Sequence, residues 1–243
     1  MVEAPRHTSV RGPTFIRLLA RLTDGDVPQS PHSLPDRLGQ WIDWNHAVAL
    51  SRALDGRSSA SVDGPAFGSA EEDECARVRA SLASAIAERR EPAAPRQPAT
   101  APAGPGGEHA QPDYAPFRQH CLDMQRAMLT ATGYLRGRLR DMLAGRSAEM
   151  ARLADVDAVM ERALSPREQT LLAAVPALLG EHFERLRQAA QQAPSEAPAA
   201  GTTPATPAPW LDAFRKDMRH VLLAELDVRF QPIDGLLAAL RTS

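Results

Sequence analysis

Aromatic side chains make up only 5% of the 243 residues, and β-branched residues are thinly scattered, so the chain has little of the material that strands are made from. Cysteine is nearly absent as well. Cys75 and Cys121 lie in separate segments, with neither a C-x-x-C spacing nor a disulfide framework, which fits a reducing compartment. Long apolar runs are missing too: Arg17 and Arg21 interrupt residues 15–22, and no segment approaches the roughly 18 apolar residues of a membrane-spanning helix. A soluble, cytoplasmic chain with neither an export signal nor a transmembrane segment is expected. Nor is there a surplus of charge of one sign. The formal net charge is -2, so no global field would gather the chain onto nucleic acid or acidic lipid. Lysine is reduced to Lys216, and a GC-rich coding genome explains that preference for Arg better than phosphate recognition does.

What the chain does have is Ala, Leu and Arg, all good helix formers, and proline that is concentrated rather than spread. Two low-complexity stretches, residues 92–112 and 193–209, carry proline too often for a helix to pass through them, and they read as linkers. The first, if flexible, would reach about 25 Å root-mean-square, and as polyproline about 65 Å. The expected organisation is therefore an N-terminal helical block (1–91), a linker, a long-helix bundle block (113–192), a second linker, and a C-terminal amphipathic segment (210–243). The expected fold class is all-α: helical bundle segments with coiled-coil-like long helices, joined by Pro/Ala-rich disordered linkers.

Within the first block, Pro13 introduces Phe15, Leu18, Leu19 and Leu22 at helical spacing, up to Thr23, Asp24 and Gly25. Ser33 can cap a helix carrying Leu34, Leu38, Trp41 and Ile42, followed by a second apolar set of Val48, Leu50 and Leu54, with Trp44 at the bend between them. Ser69 and Glu72 form a capping box ahead of Cys75, Val78, Leu82 and Ile86.

The second block opens at Asp113 with Phe117, Cys121, Met124, Met128, Ala131 and Leu135 in steps of four and three, the seam of a coiled coil or bundle. Residues 147–164 supply a partner helix. Ser165, Pro166 and Glu168 then read as a capping box starting another helix, which Pro176 should kink or break. In the third block Leu211, Phe214, Met218, Val221 and Leu222 share a face, and Pro232 is expected to separate a final short helix.

No chemical motif stands out. The seven histidines are dispersed, the adjacent His120 and Cys121 read as core rather than metal ligands, and Asp155, Asp157 and Glu161 read as a solvated face. No catalytic, cofactor-binding or metal-binding residue is named. The expected interaction surface is instead the apolar set Phe117, Met124, Met128, Leu135, Trp210, Phe214 and Met218, offered to a protein partner or to a second copy. Arg136, Arg138, Arg140 and Arg146 form a basic patch, but alternate positions cannot share one helix face, and without interleaved aromatics nucleic acid is an unfavoured partner.

Residues 12–22, 34–54 and 222–240, read as whole phrases, resemble a bacterial family known as domain of unknown function 3348, whose members share this length and a variable Pro-rich middle. The resemblance implies a bacterial cytoplasmic protein and supplies no activity. Family genes lie beside genes for membrane proteins, one with an OmpA-like peptidoglycan-binding domain, which implies at most a place in an envelope-associated assembly. The function expected from all this is a non-enzymatic adaptor or scaffold. The alternative is an anion or nucleic-acid binder using the arginines of 136–152.

Overall fold

Helix-favouring composition and the scarcity of strand formers have the expected outcome. The computed structural model describes residues 14–23, 33–56, 67–88, 112–192 and 209–242, and among these it is all-α, with eight helices and no strand. They are α1 (Thr14–Thr23), α2 (Leu34–Trp41), α3 (Trp44–Asp55), α4 (Ser69–Ala87), α5 (Ala115–Ala144), α6 (Ala148–Leu172), α7 (Val175–Gln192) and α8 (Pro209–Thr242). Apart from Pro112 and Pro209, both linker stretches lie outside the described residues, as do Pro13, Asp24 and Gly25. No helix among the described residues is long and apolar enough to cross a membrane.

The two longest helices form the axis of a bundle. α5 and α8 run parallel, since Phe117 meets Phe214 near their starts and Gln125 meets Glu225 two turns further along α5 and three along α8. α6 returns antiparallel along α5, with Arg136 on Asp157 and Gln125 reaching the Leu172 carbonyl. α4 is antiparallel to α8: Glu72 pairs with Arg241, and Arg79 with Asp234 and Asp227. α7 crosses the end where α5 and α8 begin, held by Tyr114 donating to the Pro176 carbonyl and by His182 beside Asp217. α1 packs on α7 and α8, while α2 and α3 lie along the outside of α6.

One continuous core contains Phe15 and Leu22 from α1, Leu82 and Ile86 from α4, Met128 and Leu139 from α5, Phe183 from α7, and Phe214 and Phe230 from α8. All three compositional blocks therefore bury their apolar faces against one another. α8 alone contributes 14 buried residues, so the bundle is completed only when its last helix docks.

The helix ends show where local rules hold and where packing overrides them. Ser33 caps α2 as expected: its Oγ accepts from the Asp36 N–H at 3.3 Å, and its own N–H donates to Asp36 Oδ2 at 3.2 Å. α4 departs from expectation by one residue. Gly68 is the cap, donating its N–H to Glu71 Oε2 at 3.0 Å, which leaves Glu72 free to reach α8. The box expected at Ser165 and Glu168 caps nothing, because α6 runs unbroken through Pro166. That proline forfeits one bond to the carbonyl of Arg162, and both residues are exposed, so water can serve the carbonyl. The break falls at Ala173 and Ala174, putting Pro176 in the first turn of α7, where a missing donor costs nothing. Pro232 likewise fails to separate a final short helix: α8 continues to Thr242, its flanking turns anchored by buried Phe230, Ile233 and Leu236.

Candidate functional site

The residues expected to form an interaction surface do meet partners, but inside the chain. Met128, Leu135, Phe214 and Met218 are buried, and Phe117, Met124 and Trp210 are half-buried against the same core. Phe214 lies 5.2 Å from Phe117 and 5.0 Å from Phe183, centroid to centroid, and Trp210 stands edge-on to Phe183 at 5.2 Å. Such offset and edge-to-face pairs favour this geometry beyond simple burial. The seam thus joins α5, α7 and α8, and the correction to the expected surface is that its complement is the chain's own C-terminal helix. Heptad-like spacing defines an apolar face, but spacing does not say whose helix covers it.

Midway along that seam the apolar surface is interrupted. Glu225 is wholly buried, and Arg229, one turn on, is 8% exposed. Gln125 of α5 donates through Nε2 both to Glu225 Oε2 at 3.0 Å and to the Leu172 carbonyl at 2.9 Å. Arg229 donates through Nη1 to Glu168 of α6 at 3.3 Å. Three helices are thereby tied at one level by charge-assisted bonds. Cys121 shares this interior, and burial, with the Glu225 charge second, pushes its thiol up to about 12, which makes it inert as a nucleophile.

The arginines of the supposed basic patch are engaged with acids of their own chain. Arg136 grips Asp157 through Nε and Nη2 at 2.9 and 2.7 Å, and Arg140 reaches Asp157 at 3.5 Å and also Glu161. Arg138 points the other way, to Glu74 and Glu71 of α4. Burial on its own would lower the Arg136 pKa, but the Asp157 hydrogen bonds and charge outweigh it and raise it. Asp157 and Glu161, expected on a solvated face, are instead half-buried partners in this α5–α6 contact. A shallow cleft lies where Gly68 and Ser69 of α4 meet Arg146, Leu240 and Arg241, and there Arg241 is already paired with Glu72.

Among the described residues, α3 presents one open apolar face. Asp43 caps it by accepting the His46 N–H at 2.8 Å, and the helix turns His46, Ala49, Leu50 and Ala53 inward without fully burying any of them. Outward it presents Trp44, 81% exposed, and Leu54, 53% exposed, with Ala47 and Ser51 between. A helix apolar on both sides is unusual at a surface. The alternation of apolar sets placed Trp44 near a bend but did not show that it faces out.

Glu225 and Arg229 were also missed. Their signal was present, as an acid and a base four residues apart interrupting an otherwise apolar stripe.

The model of a family described as protein of unknown function (DUF3348) matches residues 1–242. No curated protein and no solved structure matches the chain.

Proposed function

We propose that this chain, which belongs to the DUF3348 family, is a non-enzymatic helical scaffold that holds copies of itself together through the outer face of α3. The observation that supports this is the order of side chains on that face. Trp44, Ala47, Ser51 and Leu54 are all exposed and follow one another at intervals of three, four and three, with large residues outside and small ones within. Such a face is complementary to itself. Laid antiparallel on a second copy, with a two-fold axis level with Ala49, Trp44 stands opposite Leu54 and Ala47 opposite Ser51, so the helices approach closely at the centre while the large groups close the ends.

Two 12-residue helices make a small contact, so the association is weak and rises with concentration. Light scattering of the full-length protein across a concentration series tests it: a mass climbing from monomer toward dimer is expected, and a monomer at every concentration would overturn self-association as the scaffold's basis. A cytoplasmic location and an envelope-associated assembly as the dimer's larger setting belong to the same proposal. The nucleic-acid reading gains no support from Arg136, Arg138 and Arg140, whose charges are neutralised within the chain.

A further inference from the structure

Among the described residues, α1 and α4 to α8 all bury side chains in the continuous core, and α2 and α3 bury none there. No residue of α3 is fully buried, no described side chain of α2 is, and neither helix packs an apolar group against that core. What they cover is separate. Val159 and Ala163 of α6 are only 5% and 6% exposed, yet both stand outside the core. Each lies two residues past an acid that reaches α5, Asp157 or Glu161, and therefore about 200° round the helix from it. Both thus sit on the back of α6, the side along which α2 and α3 lie, and half-buried Val156 falls on the same side.

The joint also lacks polar ties. Among the described residues, no side chain of α3 hydrogen-bonds or ion-pairs with another helix: His46 meets Asp43, the cap of its own helix, and Ser51 meets Asp55 one turn on. By contrast, α1 receives Arg185 of α7 at its Leu22 carbonyl, and α4 holds Asp227 and Asp234 of α8 through Arg79. A contact of few apolar groups, with no cross-helix polar bond, is the kind that opens at the lowest cost. Connectivity leaves room for it. Nine residues lie between Thr23 and Ser33 and ten between Gly56 and Phe67, and a chain of either length can span about 30 Å.

We propose that α2 and α3 form a lid on the back of α6, which opens as one unit while the other helices stay closed. Closed, it masks the strip of Val156, Val159 and Ala163. Open, it uncovers that strip together with the inward face of α3, formed by His46, Ala49, Leu50 and Ala53. The lid works within one chain and does not rest on self-association, so it stands or falls separately from the α3 dimer.

Thiol labelling of the full chain tests it, at a dilution where copies are apart. The variants Val159→Cys and Ala163→Cys each place a thiol beneath the lid, while native Cys121, buried in the core, reports opening of the bundle itself. The two introduced thiols should react at similar rates, at least about 100-fold faster than Cys121, because the lid opens without the core. A thiol at either position that reacted no faster than Cys121 would overturn the proposal. Should neither variant fold, hydrogen exchange of the wild type decides: amides of α2 and α3 exchanging together, well before those of α5 and α8, support the lid, and exchange in step with α5 and α8 overturns it.

Discussion

Arg229 donates to Oε1 of Glu225 through both Nε and Nη2, at 3.0 and 2.9 Å, from one turn further along the same helix. This pair sits in a core otherwise made mostly of apolar side chains, and it gives the first prediction. Glu225→Ala leaves Arg229 with Glu168 as its remaining acid, and it should destabilise the protein by about 3–5 kcal/mol in urea unfolding. Glu168 is 41% exposed, and Glu168→Ala should cost no more than about 1 kcal/mol.

Cys121 ties stability to alkaline pH. Its thiol pKa rises from the ordinary value of about 8.5 to about 12 on folding, chiefly through burial. Below about pH 8.5 the thiol is protonated in both states and its contribution is complete. Above that, the unfolded chain releases a proton that the folded one keeps, and stability falls by up to about 1.4 kcal/mol per pH unit. Cys75 is shifted the same way, first by burial and then by Glu74, so the useful quantity is the difference between the wild type and Cys121→Ala. That difference should shrink between pH 8 and 10; a constant difference would mean that Cys121 is not held protonated.

Gly180 of α7 is required by Tyr114. A Cβ there would stand 2.9 Å from Tyr114 Cε1 and 3.3 Å from Cδ1, and the ring cannot swing aside, because its hydroxyl is bonded to the Pro176 carbonyl and its faces pack near Phe183 and Phe214. Gly180→Ala should cost about 1–3 kcal/mol. Tyr114→Leu should recover part of that loss in a double-mutant cycle, and strictly additive losses would refute the contact.

Asp157 holds two arginines of α5 at once. Asp157→Ala should lower stability by roughly 1–3 kcal/mol, and Arg136→Ala should act in the same direction. Both effects should appear in the unfolding midpoint. If Arg136→Ala left stability untouched and instead weakened a salt-sensitive association with RNA, the assignment of this arginine to the α5–α6 contact would fail.

Much of this architecture was legible beforehand because local chemistry determines it. Ser33 and Asp36 form their box in isolation from the rest of the chain, and the steps of Phe117, Cys121, Met124, Met128 and Leu135 define one helix face whatever covers it. What was not legible depends on three-dimensional neighbours. Pro166 and Pro232 look like helix breaks in one dimension, yet solvent access in the first case and anchored flanking turns in the second carry α6 and α8 through them. The same limit applies to the candidate surfaces. Phe214 and Trp44 are both large aromatic residues near a helix start, and only the fold shows that one is wholly buried and the other 81% exposed.

The outward face of α3 is tested most directly by changing it without touching the core. Trp44→Glu with Leu54→Glu alters two exposed side chains and should shift stability by no more than about 0.5 kcal/mol per site, with the helical circular dichroism unchanged. In light scattering after size exclusion, at a concentration where the wild type is substantially dimeric, the double variant should run at the mass of a monomer. A variant that remained as dimeric as the wild type would contradict assembly through α3.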